Sequence, residues 1–266
     1  MPVSTTPPLG ETYARVAAAC DFLQIQVGRP PDPESWTTGA QLTADAKRLV
    51  EFVDAKAARM EQEYGRPARR DVVASWAFHH YAWLACLLVA GPLLLDRRVP
   101  LLGPGDVAVP RRTGVLAGPV TVAVPGFACL PGDPAADHPQ ARVVADADAL
   151  RRVARDTVAG HLAPVLAAFR PHVRRGPHAL WGMVTDELAG TLWHLGQALG
   201  REEEAVAEAT ALLPGGTPPF VGGAGFRTVE LRDRAYTRTR LTCCLYYTLC
   251  PEDVCSNCPR IAAAAG

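Results

Sequence analysis

Five of the eight cysteines of this 266-residue chain fall between Arg238 and Pro259, in RTRLTCCLYYTLCPEDVCSNCP, at Cys243, Cys244, Cys250, Cys255 and Cys258. Thiols at that density pair as disulfides, hold zinc, or hold an iron-sulfur cluster. Disulfide frames staple small secreted domains, whereas a chain of this length builds its own core, and its opening MPVSTTPPLGETYARVAAAC lacks the basic-then-apolar order of an export signal. A structural zinc site usually takes two C-x-x-C pairs around one tetrahedral ion. Here one such pair, Cys255 and Cys258, is matched by two adjacent residues, Cys243 and Cys244, whose side chains diverge in extended backbone. Adjacent thiols suit a rhombic two-iron cluster, which spreads four thiolate positions over two metals, better than a single zinc ion.

The pattern C-C-x10-C-x2-C from Cys243 to Cys258, with CCLYY before the gap and C-x-x-C-P after it, resembles the C-terminal signature of the FhuF-like ferric iron reductases, also called ferric siderophore reductases. The phrases HLAPVLAAF and ALWGMVTDELAGTL are similar to the body of the same family, so the resemblance covers roughly residues 145–258. It implies that Cys243, Cys244, Cys255 and Cys258 ligate a [2Fe-2S] cluster. Cys250 lies outside the pattern and inherits no role; a buried, inert thiol is the plainer reading. The resemblance further implies a cytoplasmic oxidoreductase. It would take single electrons from an external donor of the ferredoxin or flavin-reductase type and pass them to Fe(III) in a siderophore, hydroxamates being the family's best-known cargo. Oxygen donors that grip hard Fe(III) hold the less charged Fe(II) far less tightly, so one electron releases the metal.

Such chemistry belongs to the cofactor, and the sequence carries no triad or carboxylate pair that would do it otherwise. Arg238 and Arg240 before the ligands either raise the cluster potential and steer an anionic chelate or are simply solvated; Tyr246 and Tyr247 after them read most plainly as core. Two other function classes compete. One is a siderophore-binding or assembly protein in which a metal site only stabilises the fold. The other is an iron or redox sensor, which lacks here the basic segment a direct DNA reader needs.

Lys plus Arg equals Asp plus Glu at 27 each, so no basic excess points to nucleic acid. Lysine occurs only at Lys47 and Lys56 while alanine and arginine abound, the composition of a GC-rich bacterial genome. The apolar run Ala82 to Leu95, AWLACLLVAGPLLL, is too short to span a bilayer and contains Gly91-Pro92. It reads as a buried core helix, compatible with no more than peripheral membrane contact.

The elements that must position the cysteines follow from periodicity. A short helix is expected from Glu11 to Leu23, then a strand over Phe22 to Val27, with Cys20 in the core. Apolar residues from Leu42 to Tyr64 recur every three or four positions, predicting one amphipathic helix stopped by Gly65. Asp71 is expected to cap a central helix to about Val89 that carries Trp76, His79, His80, Tyr81 and Trp83. The two histidines invite a ligand reading, but they point about 100° apart on a helix, and core groups with backbone partners are the simpler account.

Short apolar runs cut by Pro and Gly from Arg97 to Pro139 predict two or three strands, with Cys129 as packing. A helix from Asp146 or Asp148 to Phe169, kinked at Pro164, and another from Pro177 to Leu199 follow. Glu202 to Glu204 open a last helix, favoured there by its dipole, and Pro214 to Phe226 reads as a loop leading to the cysteines. The fold class is therefore α+β and predominantly α-helical: a helical bundle with a small β-sheet and a C-terminal cluster-binding segment. Its parts divide as 1–140 (helical region with sheet), 141–213 (bundle) and 214–266 (loop and cysteine segment).

Overall fold

The computed structural model describes residues 9–111, 118–231, 234–252, 255 and 258–260. Chain order begins α1 (Gly10–Ala19), β1 (Leu23–Val27), β2 (Trp36–Thr38), α2 (Gly39–Ala44), α3 (Ala46–Tyr64), α4 (Arg70–Asp96), β3 (Arg98–Pro100), β4 (Val107–Pro110), β5 (Gly118–Val122), β6 (Phe127–Cys129) and β7 (Ala141–Val143). It continues α5 (Ala147–Phe169), α6 (Pro177–Ala198), α7 (Glu202–Leu212), β8 (Gly225–Leu231) and β9 (Arg234–Thr239). The chain is α+β and helix-dominated.

Helix α4 is the axis. It is apolar on nearly every side and packs against α1, α3, α5 and α6. By length and composition it would also pass as a membrane span, and 83% of its most apolar window is buried inside the protein. Contrary to the sequence expectation it does not stop near Val89 but runs through Gly91 and Pro92 to Asp96. Two contacts with α1 explain this. Pro92 has no N–H for the Leu88 carbonyl four residues back, and the buried Tyr13 hydroxyl donates to that carbonyl instead, at 2.9 Å. Gly91 in turn lets α1 approach, since a side chain there would strike Val16.

The expected helix over Leu42 to Tyr64 is two helices, parted at Asp45. Asp45 is extended and its carboxylate accepts from the amides of Lys47 and Arg48, so it caps α3 and interrupts α2. Asp71 does not cap α4 but sits in its first turn, beside Arg69 at 3.1 Å. Asp146 does cap α5, accepting from Ala149 N at 2.7 Å, and α5 continues as a helix past Pro164. Tyr81 of α4 meets His161 of α5 at 2.9 Å, and burial pushes that imidazole down to about 4, keeping it neutral. Glu208 of α7 accepts from Arg97 and Arg151, closing the far end of the bundle.

The strands between helices α4 and α5 are more numerous than predicted and split into two sheets. One has the order β1-β5-β4-β2, with β1 and β5 parallel; the other is β3-β6-β7. Strands β8 and β9 form an antiparallel hairpin with an irregularity between Thr228 and Leu231. Sequence reading missed this hairpin, because its run of Arg and Thr shows no apolar face. Cys20, Cys86 and Cys129 are buried in the core.

Replacing Tyr13 by Phe leaves the Leu88 carbonyl buried with no donor from either Tyr13 or Pro92. The expected loss is about 1–3 kcal/mol in denaturant unfolding, with helix content in circular dichroism unchanged.

Candidate metal centre

Helix α6 supplies the seat for the cysteine segment. Gly182, Asp186 and Gly190 are spaced four apart and so lie on one face of the helix. Gly182 leaves room for Thr242 and Leu241, and Gly190 for the Arg238 guanidinium. Between them the Asp186 carboxylate, 3% exposed, accepts from Leu241 N and Thr242 N, each at 2.8 Å, and from the Thr242 hydroxyl at 2.7 Å. Arg238 donates to the Asp186 carbonyl. Burial raises the Asp186 carboxyl pKa, while the donors and the Arg240 and Arg238 charges oppose that rise. This latch ends one residue before Cys243. Glu202 holds the hairpin from the other side, accepting from Trp193 Nε1 at 2.7 Å and from Ala235 N of β9 at 2.8 Å.

The neighbouring acid, Glu187, is also buried. His79 Nε2 of α4 lies 2.8 Å from its Oε1, and Arg240 Nη2 lies 3.6 Å from the same oxygen. Burial alone would raise this carboxyl, but His79 first, then Arg238 and Arg240, hold it down to about 2. Arg240 is itself nine-tenths buried and faces Cys244 and Cys255. Contacts thus run from His79 through Glu187 to Arg240, which faces the thiols.

The thiols of Cys243, Cys244 and Cys255 are half-buried and that of Cys258 is buried. Cys258 is hydrogen-bonded to both Cys243 and Cys255, and Cys244 is close enough to raise the pKa of each. Burial is the larger cause for both; it pushes Cys255 up to about 11, with Arg240 opposing. Leu245 takes a left-handed conformation, φ 69°, which turns its amide toward Cys243 Sγ at 3.4 Å. Arg175, from the turn between α5 and α6, donates to the Cys243 carbonyl.

Of the four sulfurs expected from sequence, Cys258 thus meets Cys243 and Cys255, although Cys243 and Cys258 are fifteen positions apart. Among the described residues no three His, Cys, Asp or Glu side chains are grouped as ligands of one ion; the sulfurs touch pairwise. Paired thiols are soft donors of the kind iron-sulfur or zinc chemistry uses, and they lose their protons readily only beside a strong positive charge. Val254, Ser256 and Asn257, within the ligand loop, lie outside the described residues.

Other expected residues fall into place around the thiols. Tyr246 packs on Trp76 and Tyr64, both at ring-centroid distances of 6.1 Å, and anchors the short turn that carries Cys250. Tyr247 meets the Arg260 guanidinium at 4.2 Å. Of the two histidines, His79 serves Glu187, while the buried His80 packs on Trp76. Asp186, Glu187 and Arg175 were not singled out from sequence; acids at adjacent positions inside the apolar run of α6 were the available signal. A scan of protein-family models and a search of curated proteins found no match to the chain.

Asp186→Ala removes the acceptor of two amides and a hydroxyl at a buried site. It is expected to cost on the order of 3 kcal/mol in denaturant unfolding and to speed modification of Cys243 and Cys244 by a thiol reagent in metal-free protein. Unchanged labelling would show that the latch does not hold the cysteine segment.

Proposed function

We propose that the chain is a [2Fe-2S] ferric siderophore reductase, holding its cluster on Cys243, Cys244, Cys255 and Cys258. The observation that supports this reading is the pairing of Cys258 with Cys243 and with Cys255, with Arg175 on the Cys243 carbonyl and Arg240 facing Cys244 and Cys255. When bound, the cluster supplies single-electron redox chemistry. The protein's own residues set the conditions for it. Leu245 N–H toward the Cys243 sulfur, and the positive charges of Arg240 and Arg175, favour extra negative charge at the sulfurs and so raise the reduction potential. Glu187, fixed between His79 and Arg240, moderates that effect and keeps Arg240 in place.

Asp186 fixes where the segment begins, and Tyr246 on Trp76 and Tyr64 fixes the turn that follows the cysteine pair. Three of the four thiols are only half-buried, which leaves one edge open to a bulky chelate. No proton donor is required of the protein, because losing one positive charge at the iron is what loosens its oxygen ligands. The substrate is a ferric siderophore, with hydroxamates the first class to test, and the reaction is placed in the cytoplasm.

Protein purified without air should be brown, contain two irons per chain and bleach with dithionite; a colourless zinc protein would overturn the proposal in favour of a structural metal site. Cys244→Ser should abolish or strongly shift the visible spectrum. Cys250→Ser should leave spectrum and iron content unchanged, and loss of iron there would overturn the ligand assignment.

A further inference from the structure

The two turns at the cysteine end of the bundle have an unusual charge. Residues 65–71, from the end of α3 into the first turn of α4, and residues 170–178, from the end of α5 into the first turn of α6, contain six arginines, two histidines and one acid, Asp71, in a chain whose charges balance overall. The turns meet: Arg174 Nε lies 3.9 Å from Asp71 Oδ2, and Arg69 Nη2 lies 3.1 Å from the same oxygen. Together they border an open cleft of about 510 Å3 lined by Arg69, Arg70, Asp71, His172 and Arg174.

Some of this charge is spoken for, since Arg70 pairs with Asp54, and Glu61 and Glu63 stand on the last turn of α3. Arg69 and Arg174 share the single carboxylate of Asp71 and still face outward: the Arg174 side chain is 80% exposed and that of Arg69 is 62% exposed. Arg175, the next residue after Arg174, touches Cys243. The N-terminal ends of α4 and α6 both open into these turns and add positive potential.

We infer that this arginine surface docks an acidic one-electron carrier protein, of ferredoxin or flavodoxin type, beside the cysteine centre. The inference rests on the reductase reading. Exposed guanidiniums spread over two turns and around the cleft present positive charge over a wider area than a small chelate covers, which suits an acidic protein face, and such fields raise association rates and suppress wrong orientations. In the docked pair the carrier gives up one electron and this protein gains it; no bond forms or breaks.

The test titrates an acidic plant-type [2Fe-2S] ferredoxin, oxidised, into the oxidised protein by calorimetry at low and moderate salt. Binding that weakens about tenfold or more with salt, weakens similarly in Arg69→Glu/Arg174→Glu, and is unchanged in Arg142→Glu on exposed β7 is the expected result. Equal affinity in all three proteins, or no binding, overturns the inference. So does binding of a triply anionic gallium(III) tris-catecholate that the same reversals abolish while ferredoxin binding persists, which would make the cleft a substrate seat. Iron content and visible spectrum of the same samples separate the two ideas. A colourless zinc protein refutes the reductase reading; a brown protein whose ferredoxin affinity ignores the reversals refutes only the docking site.

Discussion

The buried carboxylate of Asp186 is the constraint from which the cysteine end of the molecule follows. A charged acid inside a helix packed on α4 is tolerable only if donors converge on it, and α6 has none of its own to offer. The donors arrive from elsewhere: two amides and a hydroxyl from residues 241 and 242, with Arg238 lying over the backbone next door. Because those donors are mostly main chain, what is fixed is the path of the backbone, and Cys243 follows directly on it. Glu187 repeats the logic with side chains, taking His79 from α4 and Arg240 from the segment itself. Two acids and two arginines thus neutralise one another in a dry place, a balance that tolerates loss of neither side.

Much of this architecture was readable from residue order. The helices from Asp146 and Pro177 begin where their capping and proline signals put them, since those signals act within one turn of chain. The long α4 was misjudged at its end because the contacts that rescue Pro92 come from Tyr13, on a different helix. The break at Asp45 was hidden because apolar spacing runs on across it, and only the local carboxylate-to-amide bonds part the two helices. Polar hairpin β8–β9 left no apolar alternation to read; Glu202 holds it at Ala235, and Asp186 holds the chain just beyond it at Leu241.

At the cysteine end, thiol spacing named four residues, and the structure pairs Cys258 with Cys243 and with Cys255. Spacing had no means of naming the supports. Asp186 and Glu187 are unremarkable in type, and their importance lies in being buried opposite a segment more than fifty positions later. Arginines 238 and 240 were ambiguous on sequence, solvated or functional; both prove buried, one over Gly190 and the other against Glu187.

The seat on α6 is older, in the life of each molecule, than what sits on it. As the chain leaves the ribosome, Asp186 and Glu187 appear on the order of seconds before Arg238 to Thr242 do. In that interval Asp186 lacks the donors of residues 241 and 242, and Glu187 has His79 but not Arg240. Residues 238–242 bring those partners to α6 and lead directly into Cys243. The path of the cysteine segment is thereby set by a scaffold made before it, through carboxylates in one turn of helix.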